Sequence, residues 1–348
     1  MDQTDTNLPI SPRIDCPACR SSATQHVFTV SAEEAAQHFV LREEYPERNR
    51  QLLVHIKCLW SKDTCDIRKC TACGFGFADP FVAGDALFYN LAYPKVNYPT
   101  DKWEYSATAD ALRARAELPI GNVLDVGAGF GSFLDKIKPL LIPSQKAIAI
   151  EYNEHACGIL RQKGYQVFQN DLRSDAFSAY ETNFAYIFMF QVVEHMDELE
   201  RLFERIRYLL TPDGSAFIAV PNTTRTDFQE QTGSLIDMPP NHIGRFSTDS
   251  FNALARRTGL AIVSEQIEPF TMRKFAKVDL KFLHLRRAQR SGSLANRIRS
   301  LPNSKRRLAM EAMLALAWAP VRTPVMLAAH KRRDQLGDSL LIEVSRAS

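Results

Sequence analysis

The run VLDVGAGFGSFL at residues 123–134 joins the pattern of a buried strand to a carboxylate and three glycines at alternate positions. Gly127, Gly129 and Gly131 have no Cβ, so the backbone can turn tightly there and come close to a ligand. Asp125 places a carboxylate just before this loop. In a parallel sheet, the first turn from strand to helix is where a nucleoside-containing cofactor binds, so the motif predicts a cofactor site.

Two cofactors compete for this loop, NAD and S-adenosylmethionine (SAM). The NAD fingerprint needs a glycine or alanine three residues after its second glycine, where Ser132 stands here. Asp125 suits the ammonium and sulfonium of SAM better than it suits a pyrophosphate. Glu151, which ends the next predicted strand, can accept the ribose hydroxyls of either cofactor. The residues therefore favour SAM.

The run DMPPNHIGRFS at 237–247 holds a histidine behind two prolines, which restrict the backbone before it. Imidazole titrates near neutrality and can remove a proton from a methyl acceptor. His242 is therefore the candidate catalytic base, with substrate hydrogen bonding or a structural role as the alternatives. Its neighbour Asn241 cannot act as a base.

Alternating strands and helices must position these residues. The strand patterns are NVLDVG, KAIAIE (146–151), FAYIFMF (184–190), GSAFIAVP (214–221), LAIVSEQ (260–266) and a final SLLIEVS. Helices are predicted over 153–163, over 197–210 before a Thr-Pro-Asp-Gly turn, and from a cap at 247–249 to Gly259. This order predicts an α/β fold with a doubly wound, mostly parallel Rossmann-like sheet.

Three runs together resemble class I SAM-dependent methyltransferases, over about residues 105–270 plus the final strand: VLDVGAGFGSFL, AIAIEYN and FAYIFMFQVVEHMDELERLFERIRYLLTPDGSAFIAVPN. The resemblance implies that the backbone from Gly127 to Gly131 faces the methionine part of SAM and that Glu151 binds the ribose. It also implies that Asp171, or Asn170 in its place, approaches the adenine amino group, and that Gln191 lies beside the methionyl end.

Comparison with particular methyltransferases qualifies two further motifs. In ubiquinone-pathway O-methyltransferases a similar Glu-His pair binds a metal together with a glutamate three residues earlier. That position is Gln191 here, so we expect Glu194 and His195 to orient the start of a helix and shape the pocket. Enzymes that methylate nucleic-acid bases usually carry Asn/Asp-Pro-Pro-Tyr/Phe after the fourth strand, which this chain lacks.

Two Cys-x-x-Cys motifs, Cys16–Cys19 and Cys70–Cys73, can supply the four sulfurs of a tetrahedral zinc site. Their separation is long for a zinc ribbon, and Cys58 and Cys65 are either substitute ligands or core thiols. Sugar and small-molecule methyltransferases of the C-methyl type are similar in having an N-terminal four-cysteine zinc module. Four thiolates leave no open position on the ion, so the predicted role of this zinc is structural.

Charge is unevenly distributed along the chain. The whole sequence carries +3, whereas residues 272–333 hold 16 Lys and Arg against two acids. The clusters Lys305-Arg306-Arg307 and Lys331-Arg332-Arg333 flank an apolar run over 308–329, which Glu311, Arg322 and two prolines interrupt. That pattern disfavours a membrane-spanning helix. A solvated face, an interfacial helix on anionic lipid and nucleic-acid binding remain as alternatives.

The expected organisation is a cysteine-rich zinc-binding module over 1–80, a SAM-dependent methyltransferase domain over 81–271 plus 336–348, and a basic helical insertion over 272–335. The polar N-terminus and the odd number of cysteines predict a reducing, cytoplasmic location. Peripheral association with an anionic membrane through the insertion is one of the alternatives given above.

The expected reaction is methyl transfer to a hydroxyl or activated carbon of a sugar, nucleotide sugar, lipid-linked glycan or related metabolite. We expect a small-molecule acceptor and not nucleic acid. The alternatives are an NAD(P)-linked sugar-modifying oxidoreductase and a nucleic-acid-binding protein built from the zinc module and the basic patch.

Overall fold

The structure is a computed structural model that describes residues 14–94, 98–233 and 237–347. Its N-terminal part contains three strands and three helices. They are β1 (Thr24–Ser31), α1 (Ala32–Phe39), α2 (Pro46–Trp60), β2 (Thr64–Cys70), β3 (Gly76–Asp79) and α3 (Ala86–Ala92).

The central part alternates strands and helices, as the sequence predicts. Its elements are α4 (Trp103–Arg113), β4 (Asn122–Val126), α5 (Ser132–Ile137), β5 (Ala147–Ile150), α6 (Glu154–Gln162), β6 (Gln166–Phe168), β7 (Phe184–Phe190), α7 (Leu199–Leu209), β8 (Leu210–Pro221), α8 (Thr223–Gln231), β9 (Gly244–Arg245), α9 (Thr248–Arg257) and β10 (Leu260–Ile267). The insertion then forms α10 (Met272–Ala288), α11 (Leu294–Arg299), α12 (Lys305–Ala317) and α13 (Ala319–Lys331) before the last strand, β11 (Ser339–Arg346).

The main sheet has seven strands in the order β10-β11-β8-β7-β4-β5-β6. The five strands from β8 to β6 are mutually parallel, and β11 lies antiparallel between β8 and β10. All seven residues of β7 are buried, because helices cover both faces of a sheet of this kind. The predicted α/β fold with a mostly parallel Rossmann-like sheet is confirmed.

The capping residues in the sequence correctly predicted where two helices begin. Asn153 caps α6, and Ser247 caps α9 with a reciprocal capping box. The Thr-Pro-Asp-Gly stretch expected to be a turn lies instead inside β8, where the register between β7 and β8 shifts between Phe184 and Tyr186. Those residues therefore belong to β8 but form an irregularity in its pairing with β7.

The cysteine-rich part shares its sheet with the methyltransferase part. The second sheet has the order β1-β2-β3-β9, so its last strand comes from residues 244–245. Gly76 pairs with Arg245, and Phe77 pairs with Gly244. The segment that carries His242 is therefore fixed on one side by the cysteine-rich part of the chain.

In the described parts of the chain, no single helix is long and apolar enough to cross a membrane. α12 and α13, which meet at a bend of 60°, pass that test by length and composition only when they are taken together.

Candidate active site

β4 leads directly into the glycine loop. Asp125 is buried near the carboxyl end of this strand. Gly127, Gly129 and Gly131 have φ values of +76°, +55° and +78°, a region that residues with a Cβ avoid. A Cβ on Gly129 would lie 2.9 Å from the ring of Tyr98. The loop therefore requires glycine for its conformation and also for space.

Glu151 joins the glycine loop to the second strand of the parallel set. Its carboxylate accepts hydrogen bonds from the backbone nitrogens of Gly129, Tyr152 and Asn153, each at 2.8 Å. The hydroxyl of Tyr98 donates to the same carboxylate at 3.1 Å. Tyr98 carries no motif, so sequence analysis missed it.

The electrostatics of this loop suit a cationic ligand. Burial raises the pKa of Asp125 well above its ordinary value, and the negative charge of Glu151 raises it further, while Lys102 opposes the rise. A positively charged group beside Asp125 would reverse this shift and hold the carboxylate ionised. The ammonium group of SAM meets that requirement, and a pyrophosphate does not.

Gln191 follows β7 directly and has φ of +59°, which is unusual for a residue with a side chain and is common at functional sites. Its amide nitrogen donates to Oε1 of Glu104 at 3.4 Å and to Oγ of Ser339 at 3.3 Å. These bonds hold the side chain at the carboxyl end of the sheet, where the resemblance places the methionyl end of SAM.

The carboxylate of Asp171 already accepts hydrogen bonds from other residues of the protein. Its carboxylate accepts from the backbone nitrogen and the guanidinium of Arg173 at 2.7–2.8 Å, and from the hydroxyl of Tyr152 at 3.4 Å. The adjacent arginine lowers its pKa against the effect of burial. Contact between Asp171 and the adenine amino group stays a prediction.

A cavity of about 400 Å³ opens beside Gln191. It is lined by carboxylates, amides, cations and one indole, and includes Lys102, Trp103, Glu104, Gln191, Arg225, Gln229, Asp237, His242, Glu268, Lys274 and Asp338. Several of these charges neutralise one another: Lys274 lies 2.6 Å from both Glu268 and Asp338, and Arg225 lies 2.5 Å from Asp338. The cavity wall therefore presents both hydrogen-bond donors and hydrogen-bond acceptors, and the ion pairs hold them in place.

His242 lies in this cavity, and its partner is a carboxylate that the sequence analysis missed. Nδ1 of His242 lies 2.8 Å from Oδ1 of Asp237, and Asp237 is itself buried. Burial alone would lower the pKa of His242, but the charge and hydrogen bond of Asp237 raise it, with a smaller rise from Glu194 and an opposing effect from Arg245. Asp237 in turn has its pKa lowered to about 2, because the nearby imidazole outweighs the effect of burial.

Asn241, the residue next to His242, serves a different side chain. Its carbonyl oxygen lies 2.7 Å from Nδ1 of His195. Burial lowers the pKa of His195 to about 3, and burial likewise lowers the pKa of His38, also near this site, to about 4. Both rings are therefore neutral near pH 7, whereas the pKa of His242 is raised above its ordinary value by Asp237.

Glu194 stands out because neither carboxylate oxygen has a hydrogen-bond partner among the described residues, although the side chain is buried. Burial raises the pKa of this carboxyl group to about 7. Glu194, His195 and His242 each offer one ligand atom, and these atoms lie within 4.8 Å of one another. The three residues could hold a divalent ion, or Glu194 could bind a hydroxyl of the acceptor.

The four cysteines predicted to bind zinc converge. Sγ of Cys16 lies 3.7 Å from Sγ of Cys73, and Sγ of Cys19 lies 3.5 Å from Sγ of Cys70. These separations suit a tetrahedral zinc ion with Zn–S bonds of about 2.3 Å. The hydrogen bond between the thiols of Cys16 and Cys73 lowers the pKa of Cys16 to about 5 and raises the pKa of Cys73, so zinc binding would have to release the proton that the pair shares. The cluster is consistent with a structural zinc ion.

The two remaining cysteines of the N-terminal region lie outside this cluster. Cys58 is exposed. Cys65 is buried, and burial raises its pKa to about 12, as expected for a core thiol. Neither residue substitutes for a member of the four-cysteine group.

Contacts connect the cysteine cluster to the segment that carries His242. Oγ of Ser247 donates to the carbonyl oxygen of Cys73 at 3.3 Å, and the backbone nitrogen of Ala78 donates to the carbonyl oxygen of Ile243 at 2.9 Å. The backbone nitrogen of Ile243 also donates to the carbonyl oxygen of Glu194 at 2.9 Å. The cysteine-rich part of the chain thus supports the segment that forms the His242 side of the cavity.

A parallel α/β sheet with a glycine loop and a carboxylate after the second strand defines a protein that binds a nucleoside cofactor. Residues 102–265 match the family described as "Methyltransferase domain". These residues, a little under half of the chain, form a SAM-dependent methyltransferase domain.

Solved structures with a similar chain path are distant. A SAM-dependent methyltransferase from Archaeoglobus fulgidus has 17% identity and a TM-score of 0.41, with 70% of this chain and 94% of that chain covered. The cyclase SpnF has 17% identity and a TM-score of 0.42, with 69% of this chain and 81% of that chain covered. No curated protein matches the sequence. Similarity this distant identifies no acceptor.

Proposed function

We propose that the protein transfers a methyl group from SAM to a hydroxyl or activated carbon of a sugar, nucleotide sugar, lipid-linked glycan or related metabolite, with His242 as the base. One observation carries the proposal: His242, paired with Asp237, lines the same cavity as Gln191. A proton acceptor and the expected methionyl end of the cofactor therefore border one space.

The chemistry of the cavity wall supports a polyhydroxylated acceptor. Carboxylates, amides and cations supply the mixed donors and acceptors that several hydroxyl groups require. Trp103 adds an aromatic face with a polar N–H at its edge. Glu194 is not one of the lining residues, but it lies buried close to His242, and its two carboxylate oxygens have no hydrogen-bond partner among the described residues.

SAM supplies an electrophilic methyl group bound to a sulfonium. When this methyl group is transferred, the sulfonium becomes a neutral thioether. The protein must position the acceptor in line and take up one proton. The acceptor atom forms its bond to the methyl carbon as the carbon–sulfur bond breaks, and the proton of the acceptor passes to Nε2 of His242. Asp237 holds Nδ1 and stabilises the imidazolium that forms.

A panel of acceptors tests this proposal. Purified protein is incubated with SAM and, separately, with nucleotide sugars, free sugars, small phenols and amino acids. Mass spectrometry then measures methylated product together with S-adenosylhomocysteine. We expect product with carbohydrate-containing acceptors, and we expect its loss in His242→Ala but not in the exposed control His26→Gln. Methylation confined to amino acids or phenols would contradict the proposed acceptor class.

A further inference from the structure

α12 and α13 present a broad apolar surface. Five large apolar side chains on these helices are between 53% and 70% exposed: Leu308, Met313, Leu316, Val321 and Leu327. Exposed alanines and prolines lie between them. Soluble monomers seldom expose so many large apolar side chains on two neighbouring helices unless that surface binds something.

The two charged residues within this apolar stretch turn inward. Arg322 is buried and makes a two-pronged ion pair with Asp279 at 2.6 and 2.9 Å, and it also donates to the carbonyl oxygen of Thr232. Glu311 faces Arg299 and Arg307 at 3.4–3.5 Å. The charges that disfavoured a membrane-spanning helix in the sequence are thus paired within the fold, and the outer face stays apolar.

Both ends of the apolar surface carry exposed cations. Lys305 and Arg306 begin α12, and Lys331, Arg332 and Arg333 follow at the end of α13. Arg307, the third member of the predicted first cluster, is not part of this surface, because it is buried and lies 3.0 Å from Glu44. Within residues 305–333 the exposed charges are therefore all positive; the exposed Asp334 follows directly and lies 3.8 Å from Arg333.

We propose that α12 and α13 dock on the surface of an anionic lipid bilayer. The apolar side chains would enter the boundary between headgroups and acyl chains, and the five exposed cations would face lipid phosphates. The 60° bend between the helices favours lying along the surface over crossing it. A second copy of the chain fits less well, because an interface formed by this surface on both copies would bring cations against cations.

Vesicle co-sedimentation of the full chain tests the docking surface. The probes are phosphatidylcholine vesicles with and without phosphatidylglycerol, each at low and high salt. We expect binding only to the anionic vesicles, weakened by salt because screening reduces the attraction. Leu316→Glu combined with Val321→Glu should weaken binding about 10-fold or more, since each substitution removes an exposed apolar side chain that docking would bury in the lipid.

Matched variants separate this surface from general charge and hydrophobicity. Ile120→Glu changes an apolar residue that is 81% exposed elsewhere and should leave binding unchanged. Reversal of Lys331, Arg332 and Arg333 to Glu should weaken binding on the order of 100-fold. The same charge change at the exposed Lys62, Lys138 and Lys146 should have a much smaller effect. Calorimetry with SAM should give the wild-type affinity for every variant and so show that each is folded.

Three results would overturn the proposal. One is equal binding to neutral and anionic vesicles, or to neither. Another is undiminished binding after the Leu316 and Val321 substitutions. The third is sedimentation velocity that shows a dimer, lost in those same variants, without lipid binding, because the surface would then be an interface between copies of this chain.

Discussion

Nδ1 of His242 lies 2.8 Å from Oδ1 of Asp237 across a Met-Pro-Pro-Asn connection. The pair is buried at the edge of the acceptor cavity, where Asp237 keeps its charge and the imidazole gains basicity. This arrangement leaves Nε2 as the atom that can accept a proton. It also makes the activity depend on pH in a defined direction.

We expect the acidic limb of the pH profile of kcat/KM to fall as pH drops through the raised pKa of His242, because the protonated ring cannot act as a base. Asp237→Asn removes the charge that raises this pKa, so burial then dominates and the limb moves to lower pH. The plateau rate should also fall, since a less basic imidazole removes the proton less effectively.

The control for this measurement is Asp213→Asn, an exposed aspartate on β8, which should leave the profile unchanged. Glu194 also titrates near neutrality, so Glu194→Gln must be measured in parallel. An acidic limb that moves in Glu194→Gln and not in Asp237→Asn would assign the titration to Glu194 and contradict the role given to Asp237.

The glycine loop predicts a contrast between two Gly→Ala substitutions. Gly129→Ala places a methyl group 2.9 Å from the Tyr98 ring at φ of +55°, and we expect SAM affinity to fall about 10-fold or more from the backbone strain alone. Gly158→Ala lies in α6 with no atom within 4 Å of the new methyl. Calorimetry should therefore give the wild-type affinity for Gly158→Ala. Equal affinity in both variants would place the cofactor elsewhere.

Asp125 provides a second test of the same site. Asp125→Asn removes the buried charge that we expect to pair with the cofactor's ammonium, so SAM affinity should fall on the order of 100-fold. Binding of S-adenosylhomocysteine, which keeps the ammonium but lacks the sulfonium, should fall by a similar factor. Unchanged calorimetric affinity for both ligands would remove Asp125 from the cofactor site.

The cysteine cluster predicts one zinc ion per chain. Elemental analysis should find this ion in the wild type and in Cys58→Ser, and should find none in Cys70→Ser combined with Cys73→Ser. Because the cluster supports the 237–247 segment, the double variant should lose acceptor turnover more than SAM affinity. Metal retained in the double variant would instead point to a second site at Glu194, His195 and His242.

Much of the fold was predictable because its signals are local. β7 is buried on both faces, so its seven residues form one apolar run. The strand and glycine loop of the candidate cofactor site are likewise encoded by nine consecutive residues. The same holds for the caps at Asn153 and Ser247. Each of these features depends on residues close together in the sequence.

The features that escaped prediction depend on distant parts of the chain. Tyr98 contacts Glu151, from which it is separated by 53 positions in the sequence. β9 pairs with β3, although most of the cofactor-binding part of the chain lies between the two strands in the sequence. The two cysteine motifs were predicted to converge, and their separation is long for a zinc ribbon because β1, α1, α2 and most of β2 lie between them. The sequence did not predict that Arg322 points into the fold, because α13 has apolar residues on all sides and its pattern does not indicate which side is buried.

The most direct test of the account is the turnover of His242→Gln with the best acceptor from the panel. Glutamine keeps hydrogen-bonding capacity but cannot accept a proton at neutral pH. We therefore expect kcat to fall roughly 10²–10⁴-fold, as in His242→Ala, with SAM affinity by calorimetry nearly unchanged. A His242→Gln enzyme with near wild-type kcat, or with a loss confined to KM, would contradict the account and leave His242 as a binding residue only.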